Sequence, residues 1–181
     1  LLLLGKRGTG KRSLLKLTSF IYHISIRTTA SFTHKSVASL HKVKGYRKRM
    51  KNNFLQGVEE IVHDAALSEE ETIFLINNDD LHHPAMMDEL ISFLRTKGYH
   101  HCLSNVDETS HAICKLREHL KSRGYSGSTT NIVLALQKRA RDNLRLVFCL
   151  HPCIFKECSR MGELSALCHV LWFGEWPPTA L

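Results

Sequence analysis

The residues with the clearest chemistry lie near the start of the chain. Gly5 to Ser13 read G-K-R-G-T-G-K-R-S, which satisfies the pattern G-x-x-x-x-G-K. Gly5, Gly8 and Gly10 let the backbone bend tightly, so that N–H groups, including that of Thr9, turn inward on phosphate oxygens. A helix starting at Lys11 would present its positive end to the same anion. Lys11 would reach the outer phosphates as a point charge. The position after this lysine normally carries a hydroxyl for a magnesium ion; here it holds Arg12, and Ser13 follows as the candidate metal contact.

A second group sits at the end of an apolar run, Thr72–Asn77 (TIFLIN), which leads into Asn77-Asn78-Asp79-Asp80. Nucleotide hydrolysis needs a carboxylate at such a strand end to organise magnesium, and an acidic partner to activate water. If Asn77 and Asn78 occupy those positions, both acids have become amides, which coordinate a hard cation less well and cannot accept a proton as a base. Asp79 and Asp80 read as turn residues capping the next helix; a register shift that brings one into play is the alternative. A third strand end is marked by His151-Pro152.

These positions need strands to carry them and helices to follow. Leu1–Leu4 reads as a short buried strand. A helix follows from Lys11 to about His23, with Leu14, Leu15, Leu17, Phe20 and Ile21 as its apolar face. Ile24–Arg27 reads as a second strand, and residues 28–44 give no clear element. The spacing of Phe54, Val58, Ile61 and Val62 predicts a helix over 46–66. TIFLIN reads as a central parallel strand. Pro84 opens a helix that stops at Gly98. Helices over 108–123 and 129–143 and strands over 145–150 and 166–173 complete the chain. Short apolar strands alternating with helices indicate an α/β fold: a parallel sheet with helices on both faces. Ligands of such sheets bind beyond the carboxyl ends of the strands, where all three motifs fall.

Composition narrows the partners. The 181 residues suit one domain, at 43% hydrophobic and 23% charged. No apolar run is long enough to span a membrane, and no membrane partner is expected. The opening LLLL is too short for a signal-peptide core, and a chain beginning inside an apolar strand is expected to be a piece of a longer one. The net charge is +8, yet the basic residues are spread out. The densest cluster, Lys42, Lys44, Arg47, Lys48, Arg49 and Lys51, reads as a solvated helix start and loop. No interleaving of aromatic and basic residues supports a nucleic-acid partner. The six cysteines form no C-x-x-C pair and suggest a reducing compartment. The adjacent pairs His82/His83 and His100/His101 do not share a helix face, which argues against a histidine metal site.

Three segments together resemble the dynein heavy chain, specifically its fourth AAA+ module. The loop looks like that module's G-x-G-G-S-G-K-Q-S, which also has a non-hydroxyl residue after the lysine. Ile73–Leu94 is similar to the family's second nucleotide motif and following helix. Leu144–Pro177 is similar to its L-x-V-V-F-x-x-x-P segment and C-terminal W-F-x-E-W, here Trp172 to Pro177. The resemblance implies a P-loop NTPase of AAA+ type, with a five-stranded parallel sheet and helices on both faces. Residues 1–181 would be the large subdomain, without the small helical subdomain and the stalk. It implies ATP or ADP as ligand, with or without magnesium, held by Gly5, Gly8, Thr9, Gly10, Lys11, Arg12 and Ser13, in a regulatory module. The implied partners are neighbouring AAA+ modules of the same heavy chain, intermediate and light chains through the parent, and microtubules only through the stalk. The implied setting is cytoplasm and cytoskeleton, including the ciliary axoneme. Against the family pattern, Asn77 and Asn78 replace acids, His151 stands where a polar sensor residue is expected, and Leu167 stands where some members place an arginine. These departures point to a module poor in hydrolysis; a nucleotide-free spacer and an ATPase using Asp79 or Asp80 are the alternatives.

Overall fold

The computed structural model describes residues 1–28, 46–68, 70–81, 84–96, 103, 111–124, 126, 128–154, 158–177 and 179. Five strands carry the sheet: β1 (Leu2–Gly5), β2 (Ser25–Thr28), β3 (Thr72–Asn77), β4 (Leu144–Leu150) and β5 (Val170–Phe173). Their order is β2-β3-β4-β1-β5, and every pairing is parallel. The helices are α1 (Lys11–Tyr22), α2 (Tyr46–Leu67), α3 (Pro84–Thr96), α4 (His111–Ser122), α5 (Thr129–Asn143) and α6 (Met161–Ala166).

Alternation along the central strands divides the core in two. Leu2, Leu4, Phe74, Ile76, Phe148 and Leu150 face one side and pack with apolar residues of α2, α3, α4, α5 and α6. Leu3, Ile73, Leu75, Val147 and Cys149 face the other side and pack with Leu15 of α1. Buried side chains on both faces explain why these strands read as continuous apolar runs rather than alternating ones. Each fully buried Phe or Leu contributes about 2 kcal/mol through apolar area removed from water.

Among the described residues, the two faces are unequally covered. Of the apolar stripe expected on α1, only Leu15 is buried. Leu14, Leu17, Phe20 and Ile21 are 47–77% exposed. Helical spacing brings these side chains together along α1, but only the turn lying directly on the sheet reaches the core.

The last strand also differs from expectation. Instead of one strand over 166–173, α6 ends at Ala166, its carboxyl turn closed by Leu167 N–H to Leu164 O at 3.1 Å, and β5 begins at Val170. Arg160 explains the extra helix. Its guanidinium bonds Glu163 within the first turn of α6 and Asp88 of α3 at 2.7 Å, while Arg95 of α3 also reaches Glu163 at 2.7 Å. The second strand is present at Ser25–Thr28, one residue later than read, and is a polar edge strand. Helices predicted over 46–66 and 129–143 are found at Tyr46–Leu67 and Thr129–Asn143. Those predicted over 84–97 and 108–123 are described over Pro84–Thr96 and His111–Ser122, their remaining ends outside the described residues except for Arg123, which lies in a turn.

Lys42, Lys44, His82, His83, His100, His101 and Cys102 lie outside the described residues, as does most of 28–44. Among the described residues, no helix is long and apolar enough to cross a membrane, and no three His, Cys, Asp or Glu side chains gather as a metal site.

Candidate nucleotide site

The sheet order explains why residues far apart in sequence meet. β3, β4 and β1 are consecutive neighbours, so the loops leaving their carboxyl ends converge. Asn77 pairs in register with Cys149, and Cys149 with Leu3. A cavity of about 670 Å³ opens at this edge, lined by Gly5, Arg7–Ser13, Asn77–Asp79, Cys149–His151 and Cys153. That volume lies in the range of small-ligand sites. All seven predicted loop residues line it, together with Asn77, Asn78 and His151.

The loop is shaped by its glycines at two points. Gly10 caps α1 in the left-handed region at φ 85°, and no side chain caps the helix, so its leading N–H groups stay turned toward the cavity. At Gly5 the limit is space: a Cβ there would lie 2.8 Å from the carbonyl oxygen of Phe173 in β5. Thr9 is buried, and its hydroxyl donates to the Lys6 carbonyl at 2.9 Å. Lys11 folds back across the loop, its ammonium donating to Gly5 O and Lys6 O at 2.6 Å each and to Thr9 Oγ1 at 3.2 Å. Those three contacts use the full donor capacity of an ammonium, so a phosphate must exchange with the loop's own oxygens to engage Lys11. Partial burial lowers the Lys11 pKa; nearby Cys149 opposes that shift and the Arg12 charge adds to it.

The strand-end residues form a chain of hydrogen bonds. Arg12 donates through Nε and Nη2 to Asn77 Oδ1 at 3.2 and 2.9 Å. Asn77 is itself held by Asp80, whose Oδ2 accepts from its backbone N–H at 2.7 Å. Asp80 thereby closes the turn Asn78–Leu81 from within; the cap expected for the helix beyond falls where residues 82 and 83 lie outside the described residues. Only Asp79 of this pair lines the cavity. Asn78 Oδ1 accepts the backbone N–H of His151 at 2.7 Å, tying β3 to β4. His151 Nδ1 accepts from Cys153 N–H at 3.2 Å. Leu167 lies just past α6, partly exposed.

Two contributors were not apparent from sequence. Trp176 Nε1 donates to Gly8 O at 3.0 Å, and its ring would lie 3.3 Å from a Cβ on Gly10. Glu175 forms an ion pair with Lys6. The segment after β5 thus straps the phosphate loop, although its W-F-G-E-W-P pattern carries no sign of that contact. Cys149 is the second. Its thiol is pushed up by burial, against the pull of Lys11 and Arg12. Its place in an apolar run showed only a small hydrophobe.

The model of one family, the P-loop-containing dynein motor region D4, matches residues 1–181. The chain belongs to this family. Its D4-type loop, sheet and strand-end motifs are those of a divergent dynein AAA module. It is 27% identical over 183 residues to the dynein-1-beta heavy chain of the flagellar inner arm I1 complex of Chlamydomonas reinhardtii, covering 99% of this chain and 4% of that protein. It is 23% identical over 185 residues to dynein axonemal heavy chain 1 of Rattus norvegicus, with the same coverage. Cytoplasmic dynein 2 heavy chain 1 of Rattus norvegicus is also 23% identical, over all of this chain and 4% of that protein. The chain thus spans about 4% of the length of these relatives.

Proposed function

We propose that this D4 module binds ATP or ADP on the Gly5–Ser13 loop and hydrolyses it poorly, serving a regulatory role in a dynein-like motor ring. The observation that carries binding is the amino end of α1 at Gly10, which no side chain caps, set in a cavity with Lys11 and Arg12 at its rim. Poor hydrolysis rests on Asn77 and Asn78. Both amides are committed to hydrogen bonds, with Arg12 and with the backbone of His151, and neither side chain can take a proton from water.

The other parts of the reading follow from the relatives. The module's immediate partners would be neighbouring AAA+ modules of the same heavy chain. Intermediate and light chains would associate through the parent, and microtubules through the stalk alone. The axonemal and flagellar relatives favour cytoskeleton and cilium as its setting, with cytoplasm as the alternative.

The test is titration of a fluorescent ATP analogue against wild type and Lys11→Ala. Saturable binding that the variant loses is expected; equal affinity of the two proteins overturns the proposal. A second reading, a nucleotide-free spacer, is favoured by one observation: Lys11 is saturated by the loop's own oxygens. Ligand at about 100 times its dissociation constant adds about 2.7 kcal/mol of stability. A melting temperature indifferent to saturating nucleotide would support the spacer.

A further inference from the structure

The family implies magnesium beside the nucleotide, and the residues at that place do not fit it. The oxygen at the end of β3 that would organise the cation is an amide, Asn77 Oδ1, and it already accepts two hydrogen bonds from Arg12. A neutral amide is a weak ligand for a hard divalent ion. A guanidinium on the same oxygen repels one.

We propose that the Arg12 guanidinium takes the place of magnesium, so that this module binds a nucleoside di- or triphosphate without a divalent cation. The inference rests on the nucleotide-binding reading above and adds what neutralises the phosphates. Charge is the first argument. A carboxylate with a divalent cation carries one net positive charge, and an amide with a guanidinium carries the same. Arg12 and Asn77, which read separately as two losses, therefore compensate each other at one location.

Geometry is the second argument. Asn77 orients Arg12 without cancelling its charge, as an aspartate at that position would. Asp80 supports the arrangement from behind: its carboxylate accepts from the Asn77 backbone N–H at 2.7 Å. The other N–H groups of the guanidinium have no partner among the described residues, and Arg12 lines the cavity beside Lys11. A planar guanidinium matches phosphate oxygens in pairs and keeps its charge at any physiological pH.

The competing arrangement is a magnesium ion on Asp79 and Ser13, which also line the cavity. The two differ in their response to a chelator. A fluorescent ADP analogue is titrated in magnesium chloride and in EDTA against wild type, Arg12→Gln and the double variant Arg12→Thr with Asn77→Asp; circular dichroism checks that each is folded. Wild type is expected to bind within about two-fold equally in both buffers, and Arg12→Gln about ten-fold or more weakly in EDTA. The double variant, which supplies a hydroxyl and a carboxylate at these two positions, is expected to bind only with magnesium. Wild-type affinity falling about ten-fold or more in EDTA overturns the proposal while leaving nucleotide binding intact. An unchanged Arg12→Gln also overturns it. If wild type binds in neither buffer, or if Lys11→Ala binds as well as wild type, the underlying nucleotide reading fails as well.

Discussion

The Trp176 indole donates to the Gly8 carbonyl at 3.0 Å, across 168 positions of sequence. This contact fastens the segment after β5 onto the loop after β1, and the Lys6–Glu175 ion pair lies alongside it. The loop proposed to hold phosphate is therefore shaped partly by the far end of the chain. Trp176→Phe keeps an aromatic ring but removes the donor, and should cost about 1 kcal/mol or less, since the carbonyl can turn to water. Trp176→Ala should cost more, because the packing against Gly10 is lost as well. Urea unfolding of the three proteins checks the order.

The Asn78 side chain serves as an acceptor for the His151 backbone N–H at 2.7 Å. Asn78→Ala leaves that partly buried N–H unsatisfied, and should destabilise by about 1–3 kcal/mol. Asn78→Asp retains an acceptor in the same place, and its stability should stay closer to wild type. Chemical denaturation separates the two. Equal losses would show that the amide nitrogen matters instead.

Gly10 should resist substitution for two reasons at once. Its φ of 85° lies where a Cβ costs about 1–2 kcal/mol. A Cβ there would also stand 3.3 Å from the Trp176 ring, closer than most real contacts. Gly10→Ala in a Trp176→Ala background relieves only the second term. The penalty measured by thermal melts should therefore be smaller in that background without vanishing.

The Glu163 pKa is lowered from its ordinary 4.5, first by its hydrogen bonds with Arg160. A carboxylate with a folded value below its unfolded one stabilises fully above the unfolded value, and the effect is lost as pH falls through the folded one. Glu163→Gln should melt lower than wild type at neutral pH. The difference should shrink as the pH drops below 4.5. Melting curves across the acid range test this; a difference that persists undiminished would assign the contact to packing instead.

Much of this molecule was legible along the chain because the signals were local. The loop from Gly5 to Ser13 depends on glycine geometry and on one lysine. The central strands follow from apolar runs such as TIFLIN, long enough to be buried on both faces. The amides at Asn77 and Asn78 could be read directly as a shortage of hydrolytic groups.

Tertiary structure decided what those groups do to one another. Arg12 and Asn77 stand 65 residues apart, and nothing local links them; the order β3-β4-β1 brings their loops together. The same order lets Asn78 meet the His151 backbone, and β5 beside β1 brings Trp176 onto the loop. The burial of α1 was also undecided, since periodicity groups apolar side chains on a helix without fixing what covers them. By itself the sequence determined a phosphate-binding loop with amides at the next strand end. That the guanidinium after the loop lysine rests on the first of those amides is a consequence of strand order, which parallel pairing fixes only when the whole sheet forms.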